Sequence, residues 1–206
     1  MALQLGDRAI ESAKAFSSLH VLKEDARNAL ASADDLQLSY LPAQLMEAGK
    51  VDEAATILPY LLPIRQAVWW GCLCAWNSCQ TQSDGLWTAA LEASVHWVMW
   101  PSVPQVERAR KVVGHLEGDD PAGMCVRAVE LIGPFFEGDA PSQDVDESSL
   151  PMTRPTQLVR AATTLLGAAR LSIPWAHENQ RPASKAQIVQ IGLDVAEGRS
   201  PWVSSL

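Results

Sequence analysis

No stretch of this sequence offers the about 20 uninterrupted apolar residues that a membrane-spanning helix needs. The longest apolar stretches are broken by Pro59, Pro63 and Arg65, or by Glu92 and His96. The opening MALQLGDRAIESAKAF lacks a basic flank followed by an apolar core, so no secretory signal is read there. Basic charge is also short: 16 Lys and Arg against 24 Asp and Glu give a net charge of −8. That balance disfavours non-specific binding to nucleic acid and to anionic membranes. The expectation is a soluble cytoplasmic protein whose four cysteines stay reduced.

Catalytic signatures are missing as well. There is no His-Glu-x-x-His, no Gly-x-Ser-x-Gly and no Gly-x-x-x-x-Gly-Lys, and His20, His96, His115 and His177 are scattered. No catalytic residue and no cofactor is therefore expected. His96, with Glu92 four residues earlier, reads as one partner of a hydrogen bond on a helix. Convincing apolar and polar alternation is lacking too, so no strand is expected.

What the chain does have is helix punctuation, over a composition that is 48% hydrophobic in 206 residues. That length is enough for a substantial core. The predicted fold is all-α: a single compact helical domain over residues 1–206, of about eight to ten helices. Two short helices are predicted over Gly6–Phe16 and Lys23–Ala33. A helical hairpin follows, with Pro42 opening one helix, Gly49 closing it, and Asp52 leading another that ends near Pro59. Pro63 is set to start the next, and a helix capped by Ser83 or Asp84 runs to Trp100. Ser102 and Asp120 cap two more. Glu137–Pro155, with five acids and three prolines, reads as a mobile acidic loop or linker within the domain. After it come a helix over Thr156–Leu171, an irregular SIPWAHENQRP, and a last helix capped by Ser184.

The most unusual stretch is LLPIRQAVWWGCLCAWNSC, Leu61–Cys79. Cys72 and Cys74 point about 200° apart on a helix, so with Cys79 they make no zinc site and read as buried thiols; no metal is expected. Arg65 lies in a first turn, where a cation opposes the helix dipole and calls for a compensating partner. The predicted one is a structural ion pair with Asp52 or Glu53, with Trp69 stacked on the guanidinium. An anion or partner contact is the alternative. Adjacent Trp69 and Trp70 cannot face the same way, while Trp97 and Trp100 share a face of the following helix. Most of the eight tryptophans belong to a core, but Arg65, Trp69, Trp70, Trp97 and Trp100 are also candidates for a partner-binding face.

The segment LPIRQAVWW, Leu62–Trp70, resembles the signature of an uncharacterised bacterial family known as a domain of unknown function. The resemblance extends to AGKVDEAATIL, HWVMWPSVPQVERAR and IGLDVAEGRSPW, from about Pro42 to Trp202; the N-terminal forty residues lie outside it. It implies association with type VI secretion gene clusters, and so a cytoplasmic adaptor or chaperone for a secreted effector or spike protein. Two other readings stay open. One is an enzyme or small-molecule binder with a pocket lined by Trp69, Trp97, Trp100 and Arg65, with His96 or Glu92 as acid or base. The other is an immunity protein that blocks a neighbouring toxin through its acidic face.

Overall fold

A computed structural model describes residues 35–78, 85–116, 120–132, 154–178 and 183–200, together with Glu24, Arg27 and Asn28. Among the described residues it contains eight helices and no strand: α1 Asp35–Glu47, α2 Val51–Leu61, α3 Ile64–Ser78, α4 Gly85–Met99, α5 Val103–Val113, α6 Pro121–Ile132, α7 Arg154–Glu178 and α8 Lys185–Ala196. The fold is all-α, as expected. The predicted Gly6–Phe16 helix, the predicted Lys23–Ala33 helix apart from the helical Glu24, Arg27 and Asn28, Cys79, Trp202 and the acidic segment up to Thr153 lie outside the described residues.

Several ends are set by the residues that mark them. Gly49 takes φ +74°, a left-handed conformation that costs glycine nothing. Its N–H reaches Met46 O, and the N–H of Lys50 reaches back to Leu45 O at 2.8 Å. Both orphan carbonyls at the end of α1 are thereby satisfied. Gly198, at φ +72°, repeats the arrangement after α8, with Arg199 N on Asp194 O at 2.8 Å. Asp120 Oδ1 accepts the Gly123 N–H at 2.8 Å, capping α6 with Pro121 as its first residue. The Ser184 hydroxyl accepts the Gln187 N–H and starts α8.

Prolines proved weaker terminators than expected. Pro42 lies inside α1, which begins at Asp35, and α2 runs two residues past Pro59. Helix α7 is a single 25-residue element that starts at Arg154, inside the predicted acidic loop, and runs through Pro174, where an irregular connection was predicted. Pro174 and Arg170, whose carbonyl loses its helical donor, are both exposed, so water can replace that bond. In α1 the core-facing Leu38 and Leu41 flank the proline, and their burial offsets the missing bond.

Helix α3 is the hub. It packs against α2, α4, α6, α7 and α8, and so joins an α1–α2–α8 group to an α4–α5–α6 group. No single face of α3 is apolar, because Val68, Trp70, Cys72, Cys74, Ala75 and Ser78 are buried in different directions. Small residues set the approach distances: a Cβ on Gly71 would lie 2.9 Å from Leu165 of α7 and 3.1 Å from Cys125 Sγ of α6. A Cβ on Gly192 of α8 would overlap Leu58 of α2 and lie 3.2 Å from Trp70 Nε1. The main core reaches from Leu38 to Ala196, and Ala54, Ala55 and Val189 form a second, smaller cluster.

Gly192→Ala should therefore lower stability by about 1–3 kcal/mol, the usual cost of overpacking a filled core. Gly114→Ala, at a helix end with φ −62° and no backbone atom closer than 3.5 Å to the new Cβ, should be neutral or mildly stabilising. Urea unfolding of the two variants tests this; equal midpoints would refute the packing account.

Candidate functional site

The segment Leu62–Trp70 forms three clamps, each made by a side chain of α3 on the backbone of a neighbour. Arg65 donates from Nε to Val98 O at 3.0 Å and from Nη2 to both Val98 O and Met99 O. These carbonyls end α4, where partial negative charge accumulates, so the guanidinium sits at the pole that favours a cation. That contact compensates for its position in the first turn of α3. Asp52 and Glu53 were the expected partners; the Asp52 carboxylate is bonded to Lys185 Nζ of α8, at 2.6 and 2.8 Å.

Trp69 and Trp70 face different ways, as adjacent helical residues must, yet both reach the C-terminal part of the chain. The Trp70 indole is 0% exposed and donates to Ile188 O at 2.8 Å. The half-buried Trp69 donates to Ser200 O at 2.7 Å. Arg199, bonded to Asp194 at 2.6 Å and Glu197 at 2.7 Å, fixes the turn that presents that carbonyl. Gly192, Asp194 and Ser200 were not singled out in the sequence. A glycine inside the helical IGLD was the available signal for close approach.

Of the other candidate tryptophans, Trp97 is 0% exposed and belongs to the core, whereas Trp100 is 56% exposed. Trp100 follows the end of α4, with its ring 5.8 Å from His96, and Val103, 44% exposed, opens α5 beside it. Glu92 faces Arg108 at 3.7 Å, so its ion pair is with α5. At the far end of the α3–α4 pair Trp76, 40% exposed, stacks on Trp87 at 6.4 Å. The residues proposed as one face thus divide into two core indoles, two half-buried clamps and one projecting indole.

Cys74 and Cys125 are held in their protonated form. Burial first, and then the neighbouring Cys72, push the Cys74 thiol far above its ordinary range. A hydrogen bond with Cys72, followed by burial, does the same to Cys125. Among the described residues no group of three His, Cys, Asp or Glu is placed to hold a metal ion, and no helix is long and apolar enough to cross a membrane. A half-open cleft of about 570 Å³ lies between α3, α7 and α8. Arg65, Trp69, Trp97 and Trp100, expected to line a pocket, are not among its lining residues.

The family model described as "Family of unknown function (DUF6931)" matches residues 41–196. That match covers all eight helices except the first turns of α1. No curated protein and no solved structure matches the chain.

Two outcomes follow. Arg65→Ala should destabilise by about 1–3 kcal/mol, since it strands carbonyls at a half-buried helix end. Arg65→Lys should recover only part, because an ammonium cannot span two carbonyls as a guanidinium fork does; full recovery in urea melts would contradict the clamp. Second, unfolded thiols ionise above about pH 8.5, while native Cys74 and Cys125 keep their protons. The unfolded state then binds fewer protons, so their stabilisation is complete below that pH and is lost as pH rises, by about 1.4 kcal/mol per unit for each thiol. Tyr60, raised mainly by burial, acts in the same direction at higher pH. Unfolding midpoints compared between about pH 7 and 9.5 should fall, and Cys74→Ala should shallow the slope; a flat profile would refute the assignment.

Proposed function

We propose, for a chain that belongs to the DUF6931 family of unknown function, the role of a helical binding module: an adaptor or chaperone that holds a protein partner through the corner where α4 meets α5. The observation that carries this reading is Trp100, more than half exposed beside the exposed Val103. An indole left in water forgoes a large hydrophobic gain, and projecting tryptophans on a rigid support are frequent anchors of interfaces. Arg65 supplies the support. By fixing Val98 O and Met99 O it holds the end of α4, and with it the direction in which Trp100 projects. Pro101 and Pro104 stiffen the same corner.

The resemblance of LPIRQAVWW to a signature associated with type VI secretion clusters suggests the partner: a secreted effector or spike protein held in the cytoplasm before loading. The acidic surface, at net charge −8, suits a basic or neutral partner better than another acidic one.

Trp100→Asp should abolish capture of a neighbouring effector or spike protein in a pull-down with defined prey, while leaving the melting temperature within about 2 °C of the parent. Undiminished capture by Trp100→Asp would remove the corner from the interface. Rescue of cells from a neighbouring toxin by the chain alone would favour the immunity reading instead.

A further inference from the structure

Where α3 and α7 end and α8 begins, the three helices diverge around a half-open cleft of about 570 Å³. That volume lies within the range of small-molecule sites, about 300–1,000 Å³. The cleft is at the opposite end of α3 from Arg65 and Trp69, so it is separate from the proposed protein-binding corner. Its floor is apolar and buried, formed by Cys74, Ala176 and Ile188. Two buried hydroxyls lie in the lining. Ser172 donates to Ala168 O at 2.9 Å and keeps its oxygen as an acceptor; Ser78 donates to Ala75 O at 2.7 Å. At the mouth Ile191 is partly exposed, and Gln187 and Gln190 carry the neutral amides.

Among the described residues, the lining contains no Asp, Glu, Lys, Arg or His. A charged ligand would leave its hydration behind and meet no counter-charge among these lining residues. An ionic head group is therefore disfavoured by the same argument that admits an apolar body. A single donor, such as a hydroxyl, can be met by Ser172 or by a mouth amide. Apart from Ala183 and Ser184, which precede α8, the described lining residues lie on α3, α7 and α8, so most of the wall is held by helices.

We propose that this cleft binds an uncharged, mainly apolar small molecule carrying one hydroxyl or amide. The site is independent of the adaptor reading, and loss of partner capture leaves it untouched.

The test uses the full chain and N-phenylnaphthylamine, an uncharged fluorophore that brightens in apolar sites. The chain should enhance its emission saturably. Decanol should displace it at a concentration about tenfold or more below that needed with decanoate or decyltrimethylammonium, which share its chain but carry charge. Ile191→Asp at the mouth should weaken probe binding about tenfold or more. Because Ile191 also touches the core, Gln187→Glu provides a second variant. It adds a charge to the mouth at the third position of α8, where a carboxylate suits the helix start and folding is not threatened. Trp100→Asp should bind the probe like the parent. Absence of enhancement, equal potency of a charged competitor, or parental binding by both mouth variants would overturn the proposal. So would loss of binding in Trp100→Asp, which would place the probe at the α4–α5 corner.

Discussion

The hydrogen bond from the Trp70 indole to the carbonyl of Ile188 is the contact on which the arrangement of this domain depends. It is fully buried, so neither group can turn to water if the other withdraws. Ile188 O lies within α8, and the indole reaches it because Gly192, one turn on, has no side chain to stand in the way. That glycine also lets Leu58 of α2 approach α8. One missing Cβ thus sets how α2, α3 and α8 meet. The second indole, Trp69, ties the turn after α8 to the same helix. Arg65 holds the neighbour on the other side. The clamps divide the work: two for the C-terminal helix, one for the end of α4.

Around them the packing relies on small side chains. Gly71, Cys125 and Ala122 let α3, α6 and α7 come close, and the thiols occupy volume that a larger residue would not fit. Cys74 and Cys125 thus serve as small apolar fillers, as thiols do when buried and kept protonated. The same economy leaves the exposed indoles conspicuous. Trp100 and Trp76 sit at opposite ends of the α3–α4 pair, each at a helix end.

How much of this was legible in the sequence depends on the range over which each signal acts. Gly49, Asp120 and Ser184 marked their helix boundaries correctly, because a left-handed glycine or a capping side chain acts within a few residues. Prolines misled: Pro42 was read as opening a helix, Pro59 as ending one and Pro174 as part of an irregular connection, but all three lie inside helices, where tertiary packing or exposure to water offsets their missing donors. The need of Arg65 for compensation was readable from its place in a first turn. The compensating group was not, since it is a pair of main-chain carbonyls and no side-chain pattern announces those. The divergence of Trp69 and Trp70 followed from helical geometry, whereas their partners, more than a hundred residues away, could not. The cleft was invisible for the same reason: its walls come from three distant segments of unremarkable neutral residues.

The span of the Trp70 contact, 118 residues, has a consequence for biosynthesis. The central helix is made early, but Trp69 and Trp70 find their acceptors only after Ser200 and Ile188 have been translated and have left the ribosome. Until then α3 presents unmatched apolar surface on the side that α8 later covers. At an elongation rate of about 5–20 residues per second, that interval is on the order of ten seconds. A nascent chain in that state resembles a client for holding factors more than a folded intermediate. The architecture therefore delays completion of the core until α8 and the turn after it have emerged.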